Sequence, residues 1–326
     1  MQFSFIDLFA GVGGFHLALK NNGGGGRNAI ATHCVFASEI DSHARETYAL
    51  NFPQTPLYGD ITQDSIQSHI PKAFDILCAG FPCQAFSIAG YQKGFKDTRG
   101  TLFFEIENIV KTHKPKVLFL ENVKNLKNHD KGRTFKIIQN SLELLGYAVY
   151  DSILNTATHA NIPQNRERIF IIAFHKDKVK NHAKFRFPSP IRLTKTIRDC
   201  LDSSRQDEVF YYTPKSKYYE WLKASITRTD TIYQLRRVYV RENKSKLCPT
   251  LTANMGSGGH NVPLIKDNYG IRKLTPRECF TFQGYPKSFK LPSLANSKLY
   301  MQAGNSITLP LVKRIAKEIL AVLSDE

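Results

Sequence analysis

Cys83 stands where a short apolar run gives out. Ile76 to Ala79 read as a buried strand, Gly80, Phe81 and Pro82 end it, and the thiol comes next. A structural cysteine belongs inside such a strand, as Cys78 does. One just past Gly-Phe-Pro is displayed at the strand end, where Pro82 fixes the backbone and loop N–H groups or a helix start favour the thiolate. A partner for such a nucleophile lies in "LFLENV", where Glu121 follows four apolar residues. Its carboxyl is either partly desolvated, drawn towards neutrality and able to deliver a proton, or a salt-bridged acid capping the sheet. "QNRERI" adds Arg166 and Arg168 just ahead of another strand, where a guanidinium can hold a carbonyl oxygen or a phosphate.

A second group of residues points to a bound small molecule. "DLFAGVGGF" (7–15) follows an apolar strand and opens a helix, so its glycines allow close backbone approach and the helix start favours anionic groups. It fails the dinucleotide pattern GxGxxG, because Gly11 and Gly13 fit but the last position is His16. A tight strand-to-helix turn without a ligand is the other reading. Acids end the next two strands. Glu39, with Asp41 beside it, is placed to accept both hydroxyls of a ribose, and Asp60 to accept from an adenine amino group. A glycine turn with these acids fits an adenosine-bearing cofactor that lacks a pyrophosphate, of which S-adenosyl-L-methionine is the commonest.

The elements that must position these residues alternate. Strand-like runs at 3–9, 34–41, 74–80, 116–123, 148–155 and 168–174 are separated by helical patterns, among them "SHARETYALNF" and "TLFFEIENIVKTH". Alternation of this kind predicts βα units on a mostly parallel α/β sheet, with ligands at the carboxyl ends of its strands. Gly11, Glu39, Cys83 and Glu121 all lie at such ends. After Pro188 and Pro190 the periodicity weakens and a basic, aromatic stretch follows. The expected division is a catalytic domain of 1–188 and 302–326, closed by the amphipathic helix 309–323, with a smaller domain of 189–301. "NNGGGGRN" (21–28) reads as a surface insertion without chemistry.

Composition narrows the partners. The 326 residues carry 45 Lys and Arg against 28 acids, a formal charge of +17, which favours a polyanion such as nucleic acid. No apolar stretch reaches the roughly 18 residues of a membrane span. The start, "MQFSFIDLFAG", lacks the basic segment and cleavage site of a secretion signal, so a cytoplasmic protein is expected. The six cysteines form no CxxC pair, which argues against a disulfide framework and a structural zinc site; at least five are expected to be ordinary buried residues.

The order "DLFAGVGGF", "SEID", "GDIT", "GFPCQAFS", "LENV", "QNRERIF", "RKLTPRECFTFQGYP" and "AGNSI" resembles bacterial DNA cytosine carbon-5 methyltransferases, over nearly the whole chain. The resemblance implies a Rossmann-like, S-adenosylmethionine-dependent methyltransferase sheet with a second, smaller target-recognition domain. It gives Cys83 the attack on ring carbon 6 of a flipped-out cytosine, Glu121 the protonation of ring nitrogen 3, Arg168 the base carbonyl and Arg166 a supporting role. Phe9, Gly11, Gly13, Glu39, Asp60, Pro82 and Asn305 match the cofactor pocket, with S-adenosyl-L-homocysteine as product and no metal. The loop 87–101 corresponds to a mobile lid in which Lys93 and Arg99 meet phosphates. Some relatives carry serine where this chain has Ala89.

The expected partner is double-stranded DNA. "YQLRRVYVRENKSK", with Arg236, Arg237 and Arg241, the pair Thr250–Leu251, and "NMGSGGHN", with Gly258 and Gly259, are the candidate contacts; the last is otherwise a plain hairpin loop. A type II enzyme acting as a monomer is expected, nucleoid-associated through its DNA. Its restriction endonuclease would form no stable complex with it, and no membrane is involved. The rival readings are an RNA-acting branch of the same family and a DNA-binding protein on an inactive scaffold.

Overall fold

The apolar run before Cys83 is a central strand. In the computed structural model, which describes residues 1–20, 30–82, 101–257 and 261–326, Ile76, Leu77, Cys78 and Ala79 are fully buried. A strand hidden on both faces belongs inside a parallel sheet covered by helices. The described residues pack as two units, one of 1–154, 167–188 and 312–326, the other of 155–166 and 189–311.

In the first unit the chain runs β1 (Gln2–Leu8), α1 (Gly14–Lys20), β2 (Ala31–Ser38), α2 (Ser42–Asn51), β3 (Leu57–Tyr58), α3 (Asp64–Gln67), β4 (Ile76–Gly80), α4 (Thr101–His113), β5 (Val117–Val123), α5 (Arg133–Leu144) and β6 (Tyr147–Asn155). After β7 (Gln164–Asn165), which belongs to the second unit, comes β8 (Glu167–His175). The sheet order is β3-β2-β1-β4-β5-β8-β6. The strands from β3 to β5 are parallel to one another, and β8 runs antiparallel to β5. Chain order reverses between β1 and β4, so the crevice expected of such sheets opens at their carboxyl ends. The helices bury one stripe each: Phe103, Ile106, Ile109 and Val110 from α4, Phe135, Ile138 and Leu142 from α5. Asp41 caps α2, its Oδ1 accepting from the backbone N–H of His43 at 2.8 Å and of Ala44 at 3.1 Å. Asp41 thus fixes the start of α2 beside Glu39 through this oxygen.

The second unit contains α6 (Thr156–Ala160), β7, α7 (Tyr219–Ser225), β9 (Tyr233–Leu235), β10 (Val240–Glu242), β11 (Cys248–Pro249), β12 (Leu264–Lys266), β13 (Ile271–Lys273), α8 (Pro276–Phe282) and α9 (Asn296–Asn305). The last helix, α10 (Leu309–Ser324), joins the first unit from Val312 onwards. An antiparallel sheet runs β10-β9-β12-β13, and β11 pairs with β7 in parallel. Tyr233, Leu235, Leu264 and Ile271 meet Leu222 and Ile226 of α7 in a small apolar cluster.

The strands here are too short to hold themselves, and buried polar side chains do the work. Arg272, fully buried, grips Glu278 through both terminal nitrogens at 2.7 and 2.8 Å and Asp267 through Nε at 2.6 Å. Glu278 also closes a capping box with Thr275, and Pro276 starts α8. Breaking a buried pair strands the remaining charge. Arg272→Ala is expected to destabilise the protein by about 3–5 kcal/mol, read as a lower midpoint in urea unfolding. Gly304 is required by space: a Cβ there would lie 2.2 Å from the backbone carbonyl carbon of Thr252.

The sequence division places 155–166 and 302–311 with the catalytic domain, whereas packing groups both with the second unit. The reason is side-chain bonding. Gln164 donates to the Phe282 carbonyl at 2.6 Å, and Arg166 binds carbonyls at 251, 304 and 306. No described helix is long and apolar enough to cross a membrane.

Candidate active site and nucleic-acid interface

The first unit gathers its chemistry at the strand ends. Phe9 takes φ +53°, a left-handed conformation costly for a residue with a side chain, and Gly11 and Gly13 follow at +55° and +85°. Gly13 must be glycine, because a Cβ would come within 2.4 Å of the Phe52 ring; at Gly11 a Cβ would meet nothing within 4 Å, so that side of the turn is open. Glu39, beyond β2, holds the turn. Its Oε2 accepts from the Gly11 N–H at 2.7 Å and its Oε1 from the Asp41 N–H at 2.9 Å. Burial pushes the Glu39 carboxyl above its ordinary range, against the pull of those two N–H groups. Asp60 accepts from Thr62 N–H and Oγ1 through Oδ1 alone, at 3.0 and 2.8 Å.

His16, the residue that spoils GxGxxG, lies behind the turn. It is buried, stacks on Phe52 with centroids 3.8 Å apart, and its Nδ1 lies 2.8 Å from the Tyr48 hydroxyl. Burial, then Lys20, lowers its pKa to about 3. Because the unfolded side chain still titrates near 6.5, His16 costs stability as pH falls through 6.5 towards 3. Asp7, fully buried beside it and shifted upward by burial, has the opposite slope above 3.8 and masks this in the wild type. The expected result is therefore differential. His16→Phe should gain on wild type by about 1.4 kcal/mol per pH unit below neutrality, measured by denaturant unfolding at a series of pH values.

Glu121 is paired with an arginine at the sheet's carboxyl end. It sits within β5, in register with Gly80 of β4 and Phe170 of β8. Its Oε1 lies 3.0 Å from Nε of Arg168, which reaches it from β8, and both side chains keep slight exposure, 11% and 16%. Its Oε2 is 3.8 Å from where a Cβ on Gly80 would stand, so the bare strand end leaves room beside the carboxylate. Asn122, the asparagine of "LENV" to which the sequence gives no role of its own, is buried and donates through Nδ2 to the Phe81 carbonyl at 2.8 Å. It ties β5 to the backbone that leads into Pro82, where the described chain stops one residue before Cys83. A polar residue inside an apolar strand was the available signal.

Cys83, Lys93, Arg99, Gly258 and Gly259 lie outside the described residues. The other five cysteines are described, and none is prepared to attack. Cys78, Cys200, Cys248 and Cys279 are buried and Cys34 partly so. Burial pushes every one of these thiols up, Cys200 to about 12. No cluster of three or more His, Cys, Asp or Glu able to hold a metal occurs among the described residues.

Arg166 holds backbone carbonyls of the second unit. Buried in the second unit, it donates to the carbonyls of Leu251 at 2.8 Å, Gly304 at 3.2 Å and Ser306 at 2.7 Å. It therefore fixes the backbone around the Thr250–Leu251 pair and around Asn305, which ends α9 exposed in this unit. Asn305 and the glycine turn belong to different units.

The second unit also carries a polar groove of about 440 Å³. Arg236, Arg241 and Thr250, three of the candidate DNA contacts, line it together with Asn165, Gln234 and Asn243. Its lining holds two arginines and no acid, which suits a polyanion. Arg237 stands exposed at the hairpin tip beside Val238 and Tyr239. Thr250 Oγ1 donates to the Asn165 carbonyl at 2.7 Å, which spans the groove's floor.

Comparison with known proteins gives the chain a family and a fold. The model of the C-5 cytosine-specific DNA methylase family matches residues 3–321. The chain is 50% identical over 315 residues to the type II methyltransferase M.Bsp6I of Bacillus sp. (strain RFL6), covering 96% of each chain. It is 40% identical over 348 residues to the type II methyltransferase M.HpaII of Haemophilus parainfluenzae, covering 99% of this chain and 91% of the relative. Its fold is like that of the S. pombe Dnmt2 methyltransferase crystal structure, with a TM-score of 0.74 at 20% identity over 98% of this chain and 99% of the other.

Proposed function

The chain belongs to the C-5 cytosine-specific DNA methylase family, and from that premise we propose that it moves a methyl group from S-adenosyl-L-methionine to carbon 5 of a cytosine swung out of duplex DNA, through a covalent adduct at Cys83. The observation that carries this is the Glu121–Arg168 pair, 3.0 Å apart on β5 and β8, beside the bare end of the strand that leads to Cys83.

The cofactor fits the residues present. Open space at Gly11 admits a ligand against the turn. Glu39 is oriented by two backbone N–H groups and keeps lone pairs for ribose hydroxyls, and Asp60 keeps Oδ2 for an adenine amino group. When bound, it supplies an electrophilic methyl group. Phe9, Gly13 and Pro82 complete the proposed pocket.

Carbon 5 of cytosine is a weak nucleophile, and Cys83 raises its electron density. The thiolate forms a bond to carbon 6, the ring double bond shifts its electrons towards carbon 5, and Glu121 delivers a proton to ring nitrogen 3. Arg168 holds Glu121 in place and offers its remaining N–H groups to the base carbonyl. After methylation, loss of the carbon-5 proton to a solvent base re-forms the double bond and expels the thiolate, and nitrogen 3 returns its proton to Glu121. Stacking hides the ring edge in a duplex, so the base must leave the helix first. Lys93 and Arg99 are proposed to meet phosphates on closure. Arg166 acts as a positioning residue, and Arg236, Arg237, Arg241, Thr250, Gly258 and Gly259 are proposed to face DNA. No metal has a role in these steps. The chain would serve as the modification partner of a restriction system.

Bisulfite sequencing of DNA from cells that express the chain tests this reading. Protected cytosines in one fixed sequence context are expected; uniform conversion despite folded, abundant protein would contradict it.

A further inference from the structure

Gln234 raises a question that the general fitness of the groove for a polyanion does not answer. The strand β9 alternates: Tyr233 and Leu235 are buried in the apolar cluster, while Gln234 and the adjoining Arg236 turn to the groove. In the β9–β10 register Gln234 is directly opposite Arg241, and both line the groove. The amide oxygen of Gln234 is buried and finds no hydrogen-bond partner among the described residues. A buried acceptor without a donor is costly, so its place in the lining of a polar groove favours a donor supplied by a bound ligand.

That requirement discriminates between parts of a nucleic acid. Phosphate oxygens only accept, and they suit Arg236 and Arg241. The donors that duplex DNA presents are the exocyclic amines of its bases, those of adenine and cytosine in the major groove. We propose that Gln234 is a specificity-determining residue, its amide oxygen accepting from the exocyclic amine of one base of the recognition site while Arg241 opposite it donates to a neighbouring base or phosphate. This rests on the reading of the chain as a DNA methyltransferase and adds the residue that selects sequence.

The test uses a pool of duplexes in which each base pair of the bisulfite-defined site is randomised in turn. The pool is methylated by the full chain and by its Gln234→Leu and Gln234→Glu variants, and also sorted by binding alone. Gln234→Leu is expected to relax one position by about 5- to 150-fold and leave the others selective. Gln234→Glu, which keeps acceptor oxygens, should retain preference for an amine-bearing base there. Unchanged preference at every position in Gln234→Leu would overturn the proposal. So would an equal loss on all sequences in both variants, which indicates a phosphate contact or a structural role. The binding arm separates failures: a wild type that sorts sequences but methylates none refutes the enzyme reading and leaves Gln234 still tested.

Discussion

Replacing Cys83 with alanine is expected to lower methyl transfer by roughly 10⁴-fold or more, the scale seen when a covalent nucleophile is removed, while DNA and cofactor binding persist. No second thiol can take over. The five described cysteines are held away from the thiolate by burial, with Cys78, Cys248 and Cys279 fully enclosed in their cores. Nor do the binding elements depend on the sulfur, since the glycine turn is held by Glu39 and the arginine-lined groove lies in the second unit. The two readouts are label transferred from cofactor to a duplex and retention of the same duplex in a gel shift. Activity in the alanine variant within tenfold of wild type would remove the covalent route.

Glu121→Gln is expected to reduce the turnover number by roughly 10² to 10⁴-fold, the range for loss of a positioned proton donor, with little change in affinity for DNA. Glutamine keeps the shape and an acceptor for Arg168 but cannot deliver the proton to ring nitrogen 3. Arg168→Ala should act through the same step by releasing Glu121 from its 3.0 Å contact, so the double variant should lose less than the product of the two single losses. Single-turnover kinetics with saturating DNA reads this directly. An effect confined to the Michaelis constant would mean that the carboxylate only binds the base.

Much of the first unit was legible because its elements are long enough to carry a pattern and its chemistry sits at their ends. The strands β1, β4 and β5 are five to seven residues long and mostly apolar, Glu121 interrupts β5 after four apolar residues, and Glu39 follows the buried end of β2. Direction was not legible. β8 reads as a strand in the sequence, but nothing local says that it lies antiparallel to β5. The second unit resisted reading for a different reason. Its strands are two or three residues long, and their places are set by Arg272, which grips Asp267 and Glu278, and by Gln164 and Arg166, whose partners lie distant in the chain. Hydrophobic periodicity carries no trace of such bonds, so continuity of the chain places 155–166 and 302–311 with the catalytic domain, whereas packing groups them with the second unit. Asp41 and His16 show the limit of reading residue type alone: one acid beside Glu39 caps a helix, and one imidazole in a ligand-like turn is a neutral core residue.

Fluorine at carbon 5 cannot leave as a proton does, so a duplex with 5-fluorocytosine at the target position should arrest the reaction after methyl transfer. Mixed with the protein and S-adenosyl-L-methionine, it is expected to give a complex that survives denaturation, with the DNA mapped by peptide mass spectrometry to Cys83. Absence of that complex, or a link to any other residue, under conditions where the unmodified duplex is methylated would contradict the account.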